Sequence, residues 1–277
     1  MSTWFITGTS RGFGAQIAGV ALEEGHNVVA TARDPERIAA GLGTSPRLLA
    51  QPLDVTDTTR IQPAVDAAVQ RFGTIDVLVN NAGRGLLGPM EETTEEQVRA
   101  LFDLNVLAVV NLTRAVLPVM RAQRSGRIVN IGSRTGLGPN AGSSVYDATK
   151  HALEGLTGAL ALEVAPLGIQ VTIVEPGVFR TDFLDPSSLE LTRETITDYE
   201  DGPAGRAYRE RIEQNNHAQL GDPVKGARLI YEVATADTMP PRLPMGRDAV
   251  EVIERRAVDD PAALAPWRDR SLATAHD

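Results

Sequence analysis

Tyr146 and Lys150 stand four residues apart in a stretch, 144–165, whose spacing predicts a helix, so their side chains share one face. A phenol beside an ammonium is a proton-transfer couple. A free tyrosine titrates near ~10, too high for a base at neutral pH. A nearby ammonium stabilises the phenolate and brings the group towards working range, to give a proton to an oxygen gaining charge or take one from a hydroxyl. Ser133 follows the run Val129-Asn130-Ile131-Gly132, and its hydroxyl suits hydrogen bonding to that same oxygen. Taken singly, each has a plainer reading. Tyrosine–lysine pairs arise by chance on helix faces, Ser133 is also an ordinary loop serine, and Asn105 an ordinary buried polar residue of a long helix.

A second feature lies near the start of the chain. Thr7-Gly8-Thr9-Ser10-Arg11-Gly12-Phe13-Gly14 leads from a short apolar run into a helical pattern. Glycines there let the backbone approach a pyrophosphate, and a helix N-terminus offers unpaired N–H groups and positive dipole. The spacing, G-x-x-x-G-x-G, differs from the G-x-G-x-x-G dinucleotide fingerprint, and a plain structural turn would also use it.

The elements that must position these groups alternate along the first two-thirds of the chain. Strands are predicted at 3–7, 27–31, 48–53, 75–80, 127–131 and 169–174, and helices at 12–24, 35–40, 58–72, 95–121 and 144–165. Near-continuous apolar runs such as Val77-Leu78-Val79 mark strands covered on both faces. Right-handed crossovers then build an α/β fold, a single-domain doubly wound (Rossmann-type) parallel sheet flanked by helices on both faces. The domain is expected over 1–258, with a loosely patterned, charged loop near 184–221, a helix near 223–234, an extended or turning segment at 240–244 and a solvated tail over 259–277.

Composition narrows the classes. With 27 Lys+Arg against 36 Asp+Glu the net charge is −9, which disfavours nucleic acid and anionic membranes as partners. There is no cysteine, so thiolate nucleophiles, disulfides and Cys-ligated zinc are excluded. The first residues lack the basic start and long apolar stretch of a signal peptide, and no uninterrupted apolar run approaches the ~18 residues of a bilayer span, so the expectation is a cytoplasmic protein.

Read together, the glycine loop, Asp54-Val55, Asn80-Asn81-Ala82-Gly83, Asn105, Ser133, Tyr146-Asp147-Ala148-Thr149-Lys150 and Pro176-Gly177 stand in an order that resembles the short-chain dehydrogenase/reductase family over roughly the first 180 residues. The resemblance implies hydride exchange between a nicotinamide cofactor and a carbonyl/alcohol pair. It implies Tyr146 as acid/base, Lys150 lowering its pKa and holding the nicotinamide ribose, Ser133 polarising the carbonyl, and Asn105 in a proton relay. It further implies cofactor contacts from Gly8, Ser10, Arg11, Gly12, Phe13 and Gly14, from Asp54 and Val55 beside the adenine, from Asn81, Ala82 and Gly83, and from Pro176, Gly177 and Thr181. No metal is implied.

The choice of nicotinamide turns on the end of the second strand. There Ala32 stands where a carboxylate would hold the ribose hydroxyls of NAD, Arg33 follows, and Asp34-Pro35 reads as a helix cap. No acid repels a 2′-phosphate, and a guanidinium fork suits one, so NADP(H) is expected over NAD(H), with Arg33 and Arg11 on the phosphate. Phe183, Leu184, Leu189, Tyr199, Tyr208, Leu86 and Leu137 are candidate lining for a hydrophobic carbonyl or alcohol substrate, or simply pack the loop. Ala148, Ala152, Gly155 and Ala159 form a stripe of small residues open to a helix of the same chain or of a partner, and the resemblance favours a homodimer or homotetramer. Two other readings stay open: a dehydratase or epimerase of the same family, and a nicotinamide-sensing binding protein without turnover.

Overall fold

Trp4, Phe5 and Ile6, in the middle of strand β1 (Thr3–Thr7), are wholly buried although their side chains alternate between the two faces of the sheet. Helices must therefore cover both sides, and each such apolar side chain contributes about 1.5–3 kcal/mol by leaving water. The structure is a computed structural model that describes residues 1–275. β2 (Asn27–Ala32), β3 (Leu48–Pro52), β4 (Val77–Asn80), β5 (Gly85–Leu87), β6 (Gly126–Ile131), β7 (Ile169–Pro176), β8 (Leu189–Leu191) and β9 (Arg242–Met245) follow. Seven of them form one parallel sheet in the order β3-β2-β1-β4-β6-β7-β9, and β5 pairs with β8 apart from it. The strand order reverses between β1 and β4. That is the switch point at which sheets of this kind open a crevice beyond the carboxyl ends of their strands.

The helices are α1 (Gly12–Glu23), α2 (Pro35–Leu42), α3 (Thr58–Phe72), α4 (Glu95–Phe102), α5 (Ala108–Gln123), α6 (Ser144–Val164), α7 (Thr197–Glu200), α8 (Arg206–Asn215), α9 (Pro223–Thr235), α10 (Arg247–Leu264) and α11 (Arg268–Leu272). On one face Ile17, Ala18 and Ala21 of α1 and Ile230 and Ala234 of α9 pack on Trp4, Ile6 and Val28. On the other, Ile61, Ala64 and Val65 of α3, Leu112, Val116 and Met120 of α5 and Leu160 of α6 pack on Phe5, Leu78 and Ile128. Local chemistry sets the helix starts. Asp34, with Pro35 behind it, accepts from Glu36 N as the cap of α2, Asp57 caps α3, and Thr94 and Gln97 close a reciprocal capping box on α4.

The helix predicted over 95–121 runs to Gln123 but changes pitch at Asp103–Leu107, a π-helical turn between α4 and α5. This span is long and apolar enough by composition to cross a membrane. Here it carries Asp103 and Arg114, and the apolar side of α5 lies on α3 and the sheet. The segment expected as extended or turning becomes edge strand β9, where Pro244 is tolerated. The loop near 184–221 holds β8, α7 and α8. α10 continues past residue 258 to Leu264, with its residues from 254 onward exposed.

Candidate active site

The turn after β1 takes the shape its glycines permit. Gly8 has φ +70° and Gly12 φ +58°, the left-handed region that disfavours other residues. A Cβ on Gly14 would strike Gly8 O and Asn81 Nδ2, so the α1 terminus closes onto the loop only with glycine there. Asn81 fastens this turn to the end of β4: its Nδ2 donates to Thr7 O at 2.8 Å and Gly8 O at 3.2 Å, while Asn81 N and Ala82 N both donate to Thr7 Oγ1 at 3.0 Å. Phe13 meets Phe179 edge-on, ring centroids 5.0 Å apart, joining the turn to the segment after β7.

A cavity of about 1220 Å³ runs from this turn along the carboxyl ends of the strands. It collects Gly8, Ser10, Arg11, Gly12, Phe13, Arg33, Asp54, Val55, Asn81, Ala82, Gly83, Ser133, Tyr146, Lys150, Pro176, Gly177 and Thr181 of the sequence-predicted site. Gly14 and Asn105 are not among its lining residues. Backbone N–H groups at a helix start, glycines where a Cβ would intrude, and cationic Arg11 and Arg33 suit a dinucleotide with its phosphates on α1. At the end of β2, Ala32 and the exposed Arg33 line the cavity, and Asp34 is turned to its capping role. Arg33 makes no ion pair among the described residues, whereas Arg11 Nη2 donates to Ser188 Oγ at 2.7 Å. Asp54 accepts from Thr56 N and Thr56 Oγ1, which fixes the turn below Val55.

Tyr146 is 7% exposed, its ring 5.9 Å from that of Phe183 and 5.6 Å from Lys150 Nζ. Burial pushes its hydroxyl up, the Asp147 carboxylate adds to the rise, and Ser133 and Arg134 pull it back. Burial thus outweighs the lowering expected from Lys150, and the downward pull comes from residues 133 and 134. Lys150 is itself pushed down to about 8 by burial, against the upward pull of Glu154. Its Nζ donates to Ile131 O at 2.9 Å. Ser133, at the head of a 3-10 turn after β6, accepts from Thr135 N and Thr135 Oγ1 at 3.2 Å.

The Asn105 side chain is fixed in place by Arg84 and Thr149. In the π-helical turn its Oδ1 accepts from Arg84 N at 3.0 Å, and its Nδ2 donates to Arg84 O and Thr149 Oγ1. Its amide is therefore committed to holding the strand after Gly83 against α6. Phe183, Leu184 and Tyr208 line the cavity as expected, but Leu86, Leu137 and Leu189 are core residues, and Tyr199 donates to Glu91 at the surface. The missing lining comes from α8, whose Ala207, Tyr208, Arg211, Ile212 and Asn215 share a face, and from Arg84 and Arg134. The mainly charged surface of α8 hid its helical period, while Arg134 was findable by its place directly after Ser133. Ala148, Gly155 and Ala159 of the small-residue stripe are exposed rather than covered by this chain.

Comparison with known proteins agrees with this geometry. Residues 2–191 match the family model described as short chain dehydrogenase. Oxidoreductase BOA17 of Botryotinia fuckeliana is 36% identical over 274 residues, 98% of each chain. A 3-ketodihydrosphingosine reductase of Bacteroides thetaiotaomicron is 42% identical over 197 residues, 71% of each. Among solved structures, a short-chain dehydrogenase of Streptomyces avermitilis superposes with TM-score 0.90 at 40% identity, covering 99% of this chain and 100% of that one. ElxO with NADP bound gives 0.71 at 30%, covering 87% and 95%. A 3-ketoacyl-(acyl-carrier-protein) reductase of Brucella melitensis complexed with NADH gives 0.71 at 26%, again covering 87% and 95%. By fold, motif order and family model alike, the chain is an oxidoreductase of the short-chain dehydrogenase family.

Proposed function

We propose that the protein reduces a carbonyl group on a largely apolar small molecule, with NADPH as the hydride donor. The observation that carries this reading is that Tyr146, Ser133 and Lys150 line the same cavity as the glycine turn, with the Tyr146 hydroxyl buried so that it stays protonated. A protonated phenol is an acid, and an acid is what carbonyl reduction needs. The cavity would hold a reduced nicotinamide, whose chemistry would be hydride donation to the carbonyl carbon. Ser133 Oγ donates a hydrogen bond to the carbonyl oxygen, and Tyr146 gives that oxygen its proton, leaving the alcohol. Lys150, as an ammonium held by Ile131 O, steadies the phenolate left behind and contacts the cofactor ribose; solvent then restores the proton. Asn105 holds Arg84 and Thr149 in register around this group.

Arg33, unopposed by an acid at the end of β2, favours the 2′-phosphate of NADP(H), with Arg11 as the second cation. The relatives' names include a 3-ketodihydrosphingosine reductase and a 3-ketoacyl-(acyl-carrier-protein) reductase, and Phe183, Leu184, Ile212 and Tyr208 give the cavity an apolar stretch fit for a long-chain ketone. The exposed small-residue face of α6 suits close approach by a second copy, and a homodimer or homotetramer is expected by size-exclusion light scattering. The function is tested by offering NADPH deuterated at C4 with a panel of long-chain ketones. Deuterium on the carbinol carbon of the product supports hydride transfer. Tight NADPH binding with no transfer to any member favours the nicotinamide-sensing protein.

A further inference from the structure

Behind Lys150 lies a pair of carboxyl groups that proton transfer does not use. Glu154 follows Lys150 by one helical turn on the same face of α6, and Glu175 is the last but one residue of β7, directly before Pro176-Gly177 of the cavity. The Glu175 side chain is fully buried and that of Glu154 is 13% exposed. A single guanidinium serves both: Arg242 Nη2 lies 3.0 Å from Glu154 Oε2, and Arg242 Nε 3.7 Å from Glu175 Oε1. Among the described residues, Glu154 Oε1 and both Glu175 oxygens have no hydrogen-bond partner outside the pair itself. Two buried anions facing one half-exposed cation would leave an unpaired buried charge, which is strongly unfavourable. Holding one proton between the two carboxyls removes it. The Glu154 carboxyl also lies under the turn after Ser133: a Cβ on Gly136 would stand 3.1 Å from Glu154 Oε1 and 3.2 Å from Lys150 O.

We propose that Glu154 and Glu175 share one proton and that Glu154 is a positioning residue, the counter-charge that keeps Lys150 an ammonium beneath the cofactor site. The inference rests on the catalytic reading of Lys150 given above. The groups facing the pair are Arg242 of β9, Lys150 and His151 of α6, and Arg256 of α10. Burial and the neighbouring Glu154 push Glu175 up to about 8, the same region to which burial brings Lys150 down. As pH rises, the pair therefore loses its proton where Lys150 would lose its own. The new negative charge next to Lys150 holds the ammonium.

The chain contains two lysines, Lys150 and the exposed Lys225. Full-length protein labelled with ¹³C at the lysine ε-carbon thus gives two resonances, with Lys225 as internal reference and Lys225→Arg as assignment. The expected result is a fall of at least about half a pH unit in the Lys150 midpoint in Glu154→Gln. Glu175→Gln, which leaves Glu154 fully ionised, does not lower it. A Lys150 midpoint unmoved in Glu154→Gln, or lowered equally in both variants, overturns the proposal. An infrared band of a neutral carboxyl is expected at pH 7 in the unaltered protein and lost in Glu175→Gln. If Glu154→Gln fails to fold, this band decides, and its absence overturns the shared proton. If Lys150 shifts as expected while the pH profile of turnover does not follow, the counter-charge stands and the catalytic role of Lys150 falls.

Discussion

Lys150 Nζ donates to the carbonyl oxygen of Ile131 at 2.9 Å, tying the helix that carries Tyr146 to the strand that delivers Ser133. The bond is buried, so its charge-assisted donor has no water to compete with it. Acid helix and serine turn are thereby held as one unit at the carboxyl edge of the sheet.

The glycine turn tolerates no side chain at residue 14. Gly14→Ala would press a methyl group into Gly8 O and Asn81 Nδ2. We expect at least about tenfold weaker NADPH binding, some 1.4 kcal/mol, in a fluorescence titration. Gly41→Ala, in α2 with open space around it, serves as control and should raise stability by about 0.5–1 kcal/mol. Equal affinity in the Gly14 variant would show that the turn does not meet the cofactor.

The proposed preference for NADPH rests on Arg33 at the cavity edge. Unaltered protein should bind NADPH about tenfold more tightly than NADH, and Arg33→Ala should erase most of that ratio by weakening NADPH alone. A ratio that survives the substitution would move the phosphate contact to Arg11.

Asp248, at the start of α10, accepts from Val178 N at 3.1 Å and pairs with Arg134 Nε at 3.2 Å. It therefore joins the segment after Gly177 to the residue following Ser133. Because the pair is partly exposed, Asp248→Ala should cost only about 1–2 kcal/mol in urea unfolding. It should also lower kcat/KM by about tenfold through the displaced turn. An unchanged kcat/KM would leave Asp248 with a purely structural part.

Stability should depend on pH through Glu175. Its folded value, raised to about 8, stands above the ordinary 4.5, so the folded state binds the proton more tightly. The stabilisation is present in full below 4.5 and is lost as pH rises through 8. Urea midpoints should fall between pH 5 and pH 8.5 in the unaltered protein and fall less in Glu175→Gln. Parallel falls in both proteins would place the dependence elsewhere.

How much of this was legible in the sequence follows from where the information lies. Six of the strands, the caps at Asp34 and the helix of Tyr146 and Lys150 are written in local composition and period, and the structure has them within a residue or two. β5 and β8 escaped because two three-residue strands from distant parts of the chain gain their identity only by pairing. The substrate wall escaped for a related reason: α8 has no buried face to give it a period. The pKa balance at Tyr146 depends on burial, a tertiary quantity, so the ammonium four residues away was visible and the larger opposing effect was not. The joining of Glu154, Glu175 and Arg242 likewise brings together a helix and two strands that sequence alone leaves apart.

The central claim, that Tyr146 is the acid of a carbonyl reduction, is tested most directly by Tyr146→Phe. The substitution removes one buried oxygen and keeps the ring against Phe183. NADPH should bind with affinity within about threefold of the unaltered protein, while NADPH oxidation with a turned-over ketone should fall by about 10²–10⁴-fold. Full oxidation activity in that variant, with NADPH bound, would contradict the account.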